Sequence, residues 1–301
     1  MFARQINDGT RQRRVSRAPL TWAVPALLVV FVFHYGAVIA GGWYAFTDWD
    51  GFTEPDFVGL ENFARIFSSS QALGALANTL KLTVAFVIGA NAIGLVLAMA
   101  LNKGLKSRFV LRSVFFAPVV MSPLAVAYIW QFVFEVQGPV NALLGTVGLE
   151  SWQRVWLGDA TFAIWAVWAV MVWQFSGLCM AFYLAGLQSI PEDLTEAAEI
   201  DGASSWRTFR RIVFPMLAPA ATVSISLTTI FGLRVFDQIM ALTRGGPGYA
   251  TETLATQVYK QTFAFGNFGY GAAFALVLTA LVLVVSALQL TILRRRERVL
   301  Q

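Results

Sequence analysis

Six stretches of this chain, at about 20–46, 75–101, 114–135, 162–187, 216–236 and 270–293, are each apolar for at least the length of a bilayer crossing. A hydrocarbon core about 30 Å thick needs about 20 apolar residues per helical span. The runs are rich in Leu and Ala and keep no strict period of two, which excludes the short alternating strands of a β-barrel. Composition agrees, with 57% hydrophobic residues against 13% charged and a mean hydropathy of +0.63. The expected fold class is therefore an all-α integral membrane protein with six transmembrane helices.

The first run follows five arginines, Arg4, Arg11, Arg13, Arg14 and Arg17, as a secretory signal peptide would. It continues through Trp43 and Tyr44, well past the 7–15 apolar residues of such a signal, so a retained anchor is expected. Cys179 and His34 are the only residues of their kinds, and both fall inside spans. One cysteine excludes a disulfide framework and a cysteine metal site within one chain, and no metal ligands are expected.

With six spans the two termini share a side. That side collects the five arginines of the 1–19 tail, the basic run Lys103, Lys106, Arg108 and Arg112, then Arg207, Arg210 and Arg211, and finally Arg294, Arg295, Arg296 and Arg298. The other side carries only Arg65, Arg154, Arg244 and Lys260. The positive-inside rule places both termini in the cytoplasm. Net charge +5 then reflects topology, and nucleic acid is not an expected partner because the charge is spread over membrane-flanking ends. The organisation that follows is a basic tail at 1–19, a first transmembrane helix at 20–46, an external acidic loop at 47–74, a five-helix core at 75–293 containing a cytoplasmic loop at 188–215, and a cytoplasmic tail at 294–301.

The 188–215 loop reads as two short helices. Ser189 is expected to cap the first, with Pro191 in its first turn and Glu192 completing a capping box. Gly202 stops it, since glycine accepts the left-handed conformation found just past helix ends. The second is expected over 205–212, with Phe209, Ile212 and Val213 on one face, Arg207, Arg210 and Arg211 facing water or lipid phosphate, and Pro215 opening the next span. Ala197 and Ala198 make a narrow surface ringed by Glu196, Glu199 and Asp201, the profile of a helix laid into a partner's groove. A helix lying on the membrane surface would instead be basic.

Glu196-Ala-Ala, then Asp201-Gly202-Ala203, then Phe209, Ile212 and Pro215, resembles the Glu-Ala-Ala loop by which permeases of binding-protein-dependent ABC importers dock on their ATPases. Further pieces resemble the carbohydrate branch: Phe57-Val-Gly-Leu-Glu-Asn-Phe63, Asn78-Thr-Leu80, Arg112 with Pro118 and Ser122, Trp130, Gly138 with Asn141, Gly186-Leu-Gln-Ser-Ile-Pro191, Val235-Phe-Asp237 and Thr243-Arg-Gly-Gly-Pro247. Arg234 and Met240 depart from the pattern, standing where a polar or aromatic residue is expected. The resemblance implies a type I ABC importer permease fold in a prokaryotic inner or plasma membrane. It implies a second related permease, two ATP-binding cassette ATPase subunits, an extracytoplasmic sugar-binding protein and surrounding membrane lipid as partners. It also implies ATPase docking through Glu196, Ala197, Ala198, Asp201, Gly202, Ala203, Phe209, Ile212 and Pro215. Cargo contacts are implied from the spans flanking the loop, at Trp173, Gln174, Ser176, Thr229, Gly232 and Arg234, with Gln131 as a further candidate.

No Gly-x-x-x-x-Gly-Lys-Ser/Thr occurs, so no enzyme activity and no cofactor are expected in this chain; ATP and magnesium belong to the partner. Gly245-Gly-Pro-Gly248 lacks the lysine of a phosphate loop and reads as a turn. An ATP-independent secondary transporter or channel is the alternative that six spans alone permit. It predicts coupling-ion groups, whereas the acids at span positions, Glu135 and Asp237, lie near span ends.

Overall fold

The computed structural model describes residues 20–102 and 106–300, and the expected basic tail at 1–19, with its five arginines, and Lys103 lie outside the described residues. The described chain is helical, with a single isolated bridge between Thr47 and Phe57 and no strands. By contacts it divides into residues 1–43 and 44–301. The described part of the first unit is a 3₁₀ turn, Leu20–Ala23, and all but the last residue of α1, Val24–Tyr44, which passes through a π-helical stretch at Phe31–Gly36.

In the second unit the helices are α2 (Glu61–Ser68), α3 (Ser70–Leu101), α4 (Arg108–Val120), α5 (Pro123–Val133), α6 (Pro139–Thr146), α7 (Ala163–Gln188) and α8 (Glu192–Ile200). They continue as α9 (Ser205–Met216), α10 (Ala218–Leu233), α11 (Asp237–Leu242), α12 (Leu254–Tyr259) and α13 (Phe268–Leu300). Among the described residues, α1, α3, α7 and α13 are long and apolar enough to cross a membrane, and the number becomes six if each of two bent pairs is one span.

The bent pairs correct two of the expected straight spans. The 114–135 run is α4 and α5, set at 101° to each other. Pro123 lacks an N–H and pushes the residue before it out of the helical region, and Met121 and Ser122 accordingly hold ψ of 142° and 135°. The 216–236 run begins with a 66° bend between α9 and α10 at Leu217. Pro215 therefore closes α9, and it is Pro219 that occupies the first turn of α10.

The core lies where α3 and α7 cross. Ala90, Gly94 and Ala98 recur every four residues on α3 and are buried, so the two backbones approach closely. A Cβ on Gly94 would run into Cys179 and Met180, which explains why the lone cysteine is a small, fully buried residue here. Gly177 on the same stretch of α7 lies against the backbone of Phe115 and Phe116 in α4. A second, smaller core joins α2, the start of α3, α12 and α13 through Ile66, Ala72, Leu254 and Phe274.

Many residues of the sequence pattern prove to be polar anchors for loop backbone. Asn62 donates to the carbonyls of Ala45 and Thr47, at 3.0 and 2.8 Å. Asn141, a buried residue of α6, donates to the carbonyls of Val136 and Arg154 and accepts from the Trp156 indole at 2.9 Å. Each satisfies carbonyls that no helix would pair. The acidic loop carries its own tight turn, in which the Asp50 carboxylate accepts from the N–H of Thr53, the N–H of Phe52 and the Thr53 hydroxyl. Those donors hold its pKa down at about 2.

Candidate functional site

α8 starts after Pro191, whose ψ of 131° sets the entry, with Glu192 and Asp193 in its first turn where the positive end of the helix dipole favours acids. The expected Ser189 cap is not made. Ser189 is the residue that ends α7, in helical φ/ψ, and its hydroxyl donates back to the Gly186 carbonyl at 2.8 Å. It lies two residues before Pro191, the capping position of α8, because α7 runs on to Gln188.

The far end of α8 follows the glycine logic. Gly202 sits at φ +74°, its N–H donates to the Glu199 carbonyl, and the N–H of Ala203 reaches back to the Ala198 carbonyl at 2.9 Å. This paired closure is the Schellman arrangement. A Cβ at Gly202 would meet nothing within 4 Å, so only the backbone conformation demands glycine there. Ala198 is buried against the body, whereas Glu196, Ala197, Glu199 and Asp201 are exposed together with Ile200, which is 86% exposed. Ser204 caps α9 by accepting from the Arg207 N–H, and Phe209 and Ile212 are half-buried beside the exposed Arg207, Arg210 and Arg211. Pro215, at the end of α9, is half-buried. The result is a bounded, acid-rich helix with one small-residue face turned away from its own chain, carried on the bent α9–α10 pair.

The candidate cargo residues separate into two groups. Trp173 is 38% exposed, with its ring edge-on to Trp130 at 5.5 Å, and Arg234 is exposed at the end of α10. The other four are buried and occupied within the chain. Ser176 and Thr229 donate to the carbonyls of Trp173 and Ile225 in their own helices, and Gly232 lets α10 approach Thr83, which a Cβ would meet at 2.9 Å. Gln174 is 1% exposed. It donates to the Met121 carbonyl at the α4–α5 break and accepts from Gln238 of α11 at 3.1 Å, so it braces the broken span. Gln131 of α5 donates to the Ala241 carbonyl at 2.6 Å, and of the candidates only it lines the cavity of about 640 Å³ between α5 and α11. Tyr128, Asp237, Met240 and Arg244 also line that cavity.

Two polar clusters escaped the sequence reading. Asn91 of α3 donates to the Thr228 hydroxyl and accepts from Tyr183 at 3.0 Å and Ser224 at 2.7 Å, tying α3, α7 and α10 together inside the apolar core. Glu252 is fully buried, with its carboxylate held by Lys260, Gln257 and, from α3, Gln71. Asn78 donates to the Glu252 and Ala250 carbonyls, and Thr79 accepts from the Leu254 N–H. The Arg244–Glu252 turn is thus fastened to α3. Residues Arg244, Gly245 and Gly248 within it take positive φ, in accord with the turn expected there. Among the described residues, no group of three or more His, Cys, Asp or Glu is arranged to hold a metal ion.

The described chain is helical, with apolar helices long enough to cross a membrane, two bent helix pairs and a projecting acid-rich helix. Residues 90–298 match the family described as the binding-protein-dependent transport system inner membrane component, and the chain belongs to that family. It is 36% identical over 278 residues to the multiple sugar-binding transport system permease protein MsmF of Streptococcus mutans, covering 92% of this chain and 95% of the relative. It is 34% identical over 295 residues to the trehalose/maltose transport system permease protein MalF of Thermococcus litoralis, covering 97% and 99%. Its fold superposes with a TM-score of 0.79 on a chain of a bacterial alginate ABC transporter solved in complex with an alginate pentasaccharide-bound periplasmic protein, at 23% identity and with 92% of this chain and 94% of that one covered. The chain is accordingly a multi-pass membrane permease subunit, and in this family such subunits are non-catalytic transport components.

Proposed function

We propose that this permease imports a sugar or sugar derivative handed over by an extracytoplasmic binding protein, and that it forms the pathway with a second, related permease. Both termini and the α8–α9 segment lie in the cytoplasm, where α8 docks on one of two ATPase subunits that bind the ATP and magnesium. The observation that carries the docking is α8 itself. Its acids Glu196, Glu199 and Asp201 are exposed, Ala197 permits close approach, Ala198 anchors it to the body, and Gly202 with Ala203 ends it abruptly. Phe209, Ile212 and Pro215 seat α9 beneath it. Sugar as the cargo is supported by relatives whose names specify sugars and by near end-to-end alignment with them.

Closure of the ATPase dimer moves α8, and the α9–α10 bend passes that motion to the spans, biasing inward-open against outward-open arrangements. Trp173 and Arg234 are the cargo contacts, an aromatic face for sugar C–H patches and a hydrogen-bonding cation. Gln174, Ser176, Thr229 and Gly232 shape that region from behind, and Gln131 sets the α5–α11 cavity.

Glu196→Lys tests the docking. A reversed charge at a docking contact costs several kcal/mol, so ATP-driven uptake should fall at least about tenfold and ATPase subunits should be lost on purification, with membrane insertion unchanged. Retention of both ATPase association and uptake by that variant contradicts the assignment.

A further inference from the structure

The cavity of about 640 Å³ between α5 and α11 falls within the roughly 300–1,000 Å³ of small-molecule sites. Neither Trp173 nor Arg234 lines it. Its wall instead carries Tyr128, Gln131, Asp237 and Arg244, with Phe236 and Met240 beside them. Among the described residues the only ion pair is Lys260 with Glu252, so the Asp237 carboxylate and the Arg244 guanidinium neutralise neither each other nor any other group. Neither of them, nor the Tyr128 hydroxyl, makes a side-chain hydrogen bond within the described residues. Gln131 is committed on one side only. Its Nε2 is fixed on the Ala241 carbonyl, which leaves Oε1 as an oriented acceptor with no donor.

Arg244 is the least expected of the four. It holds φ at +52°, a left-handed conformation that favours glycine over arginine. Its own N–H donates to the Ile239 carbonyl at 2.9 Å, and the Gly245 N–H donates to the Thr243 hydroxyl, so the backbone is held there on both sides. The turn that carries it is fastened to α3 through Glu252 and Asn78. Glycine, present at the left-handed positions 245 and 248, would serve the backbone better. The side chain is therefore what accounts for an arginine, and residues strained in this way cluster at ligand clamps.

We propose that this cavity is a second cargo subsite, separate from Trp173 and Arg234, and that it takes an uncharged sugar. Asp237 and Gln131 supply acceptors for sugar hydroxyls, Arg244 supplies donors, and Tyr128 and Phe236 supply aromatic surface for C–H faces. One free carboxylate and one free guanidinium leave the wall without net charge. A phosphate ester that gains from Arg244 loses against Asp237, whereas a neutral polyol uses both. The subsite rests on the reading of the chain as a sugar importer, with this end of α5 on the extracytoplasmic side.

Cysteine protection tests it on the permease purified with its partner subunits, with Cys179→Ser as background and Met240→Cys as reporter on the cavity wall. The probes are xylose, glucose, maltose and trehalose, set against glucose 6-phosphate and the zwitterion glycine betaine. At least one of the four neutral sugars should slow maleimide labelling of Met240→Cys and leave labelling of Phe52→Cys unchanged, and neither charged probe should do so. Arg244→Gly relieves the left-handed backbone, so it should keep the thermal unfolding midpoint. It should nevertheless need about tenfold more of the same sugar for half-protection, the loss of one hydrogen bond to a charged group. Protection by none of the four sugars, equal protection of Phe52→Cys, equal protection by either charged probe, or an unaltered half-protecting concentration in Arg244→Gly would each overturn the proposal. Labelling reads occupancy without transport. Uptake of a sugar that leaves Met240→Cys unprotected overturns the subsite and leaves the importer reading standing, and protection without uptake does the reverse.

Discussion

Single residues in this chain act mostly on backbone and on helix contacts, and Asn91 shows how. Its amide group serves as donor and acceptor toward α3, α7 and α10, in a region where unmet polar groups find no water. Asn91→Ala leaves the Tyr183 and Ser224 hydroxyls without their acceptor and should cost about 1–2 kcal/mol, read as a lower midpoint in thermal unfolding of the detergent-solubilised protein. Combined with Ser224→Ala the loss should be less than the sum of the two, because both remove the same bond. Strict additivity would show that Asn91 is not the hub. Asn91 was hidden in the sequence because an asparagine within a 32-residue apolar helix carries no spacing signal, and its partners on α7 and α10 lie more than 90 residues away.

At the scale of elements, the glycine-rich turn and the projecting helix are held in opposite ways. The Arg244–Glu252 turn is fastened by a fully buried carboxylate with Lys260, Gln257 and Gln71 around it, while α8 touches its own chain through little more than Ala198 and Thr195. Removing one member of a buried pair costs about 3 kcal/mol, because the remaining charge stays buried and unpaired. Lys260→Met should therefore destabilise by about that much and expose the turn to limited proteolysis, and Glu252→Gln added to it should recover part of the loss. A Lys260→Met protein as stable and protease-resistant as the unaltered chain would remove the clamp. Element identity was legible wherever long apolar runs set it, and the breaks were not. Pro123 and Pro219 fall inside runs that keep their hydrophobicity through the bend, so composition reads straight across them. Gly202 was legible because a left-handed position demands glycine. Ser189 misled because serine also serves helix C-termini by bonding back to a carbonyl, and the local pattern does not show where α7 stops.

For the whole molecule, the pattern that marks the family is a set of anchors whose reasons become visible only in three dimensions. Asn62, Asn78 and Asn141 each satisfy loop carbonyls distant in sequence or fold, so their order along the chain was readable while their purpose was not. The cargo residues were the faintest part. Gln174 looked like a ligand because polar groups in spans face interiors, yet here the interior is a helix break that consumes its amide. The central claim, that α8 faces the cytoplasm and meets the ATPase, is tested most directly with Cys179→Ser as background and a single cysteine at Ala197 or, for comparison, at Phe52. In the purified complex Ala197→Cys should cross-link to the ATPase subunit and Phe52→Cys should not, while in whole cells a membrane-impermeant maleimide should label only Phe52→Cys. Labelling of Ala197→Cys from outside, with no cross-link to the ATPase, would contradict both the topology and the docking.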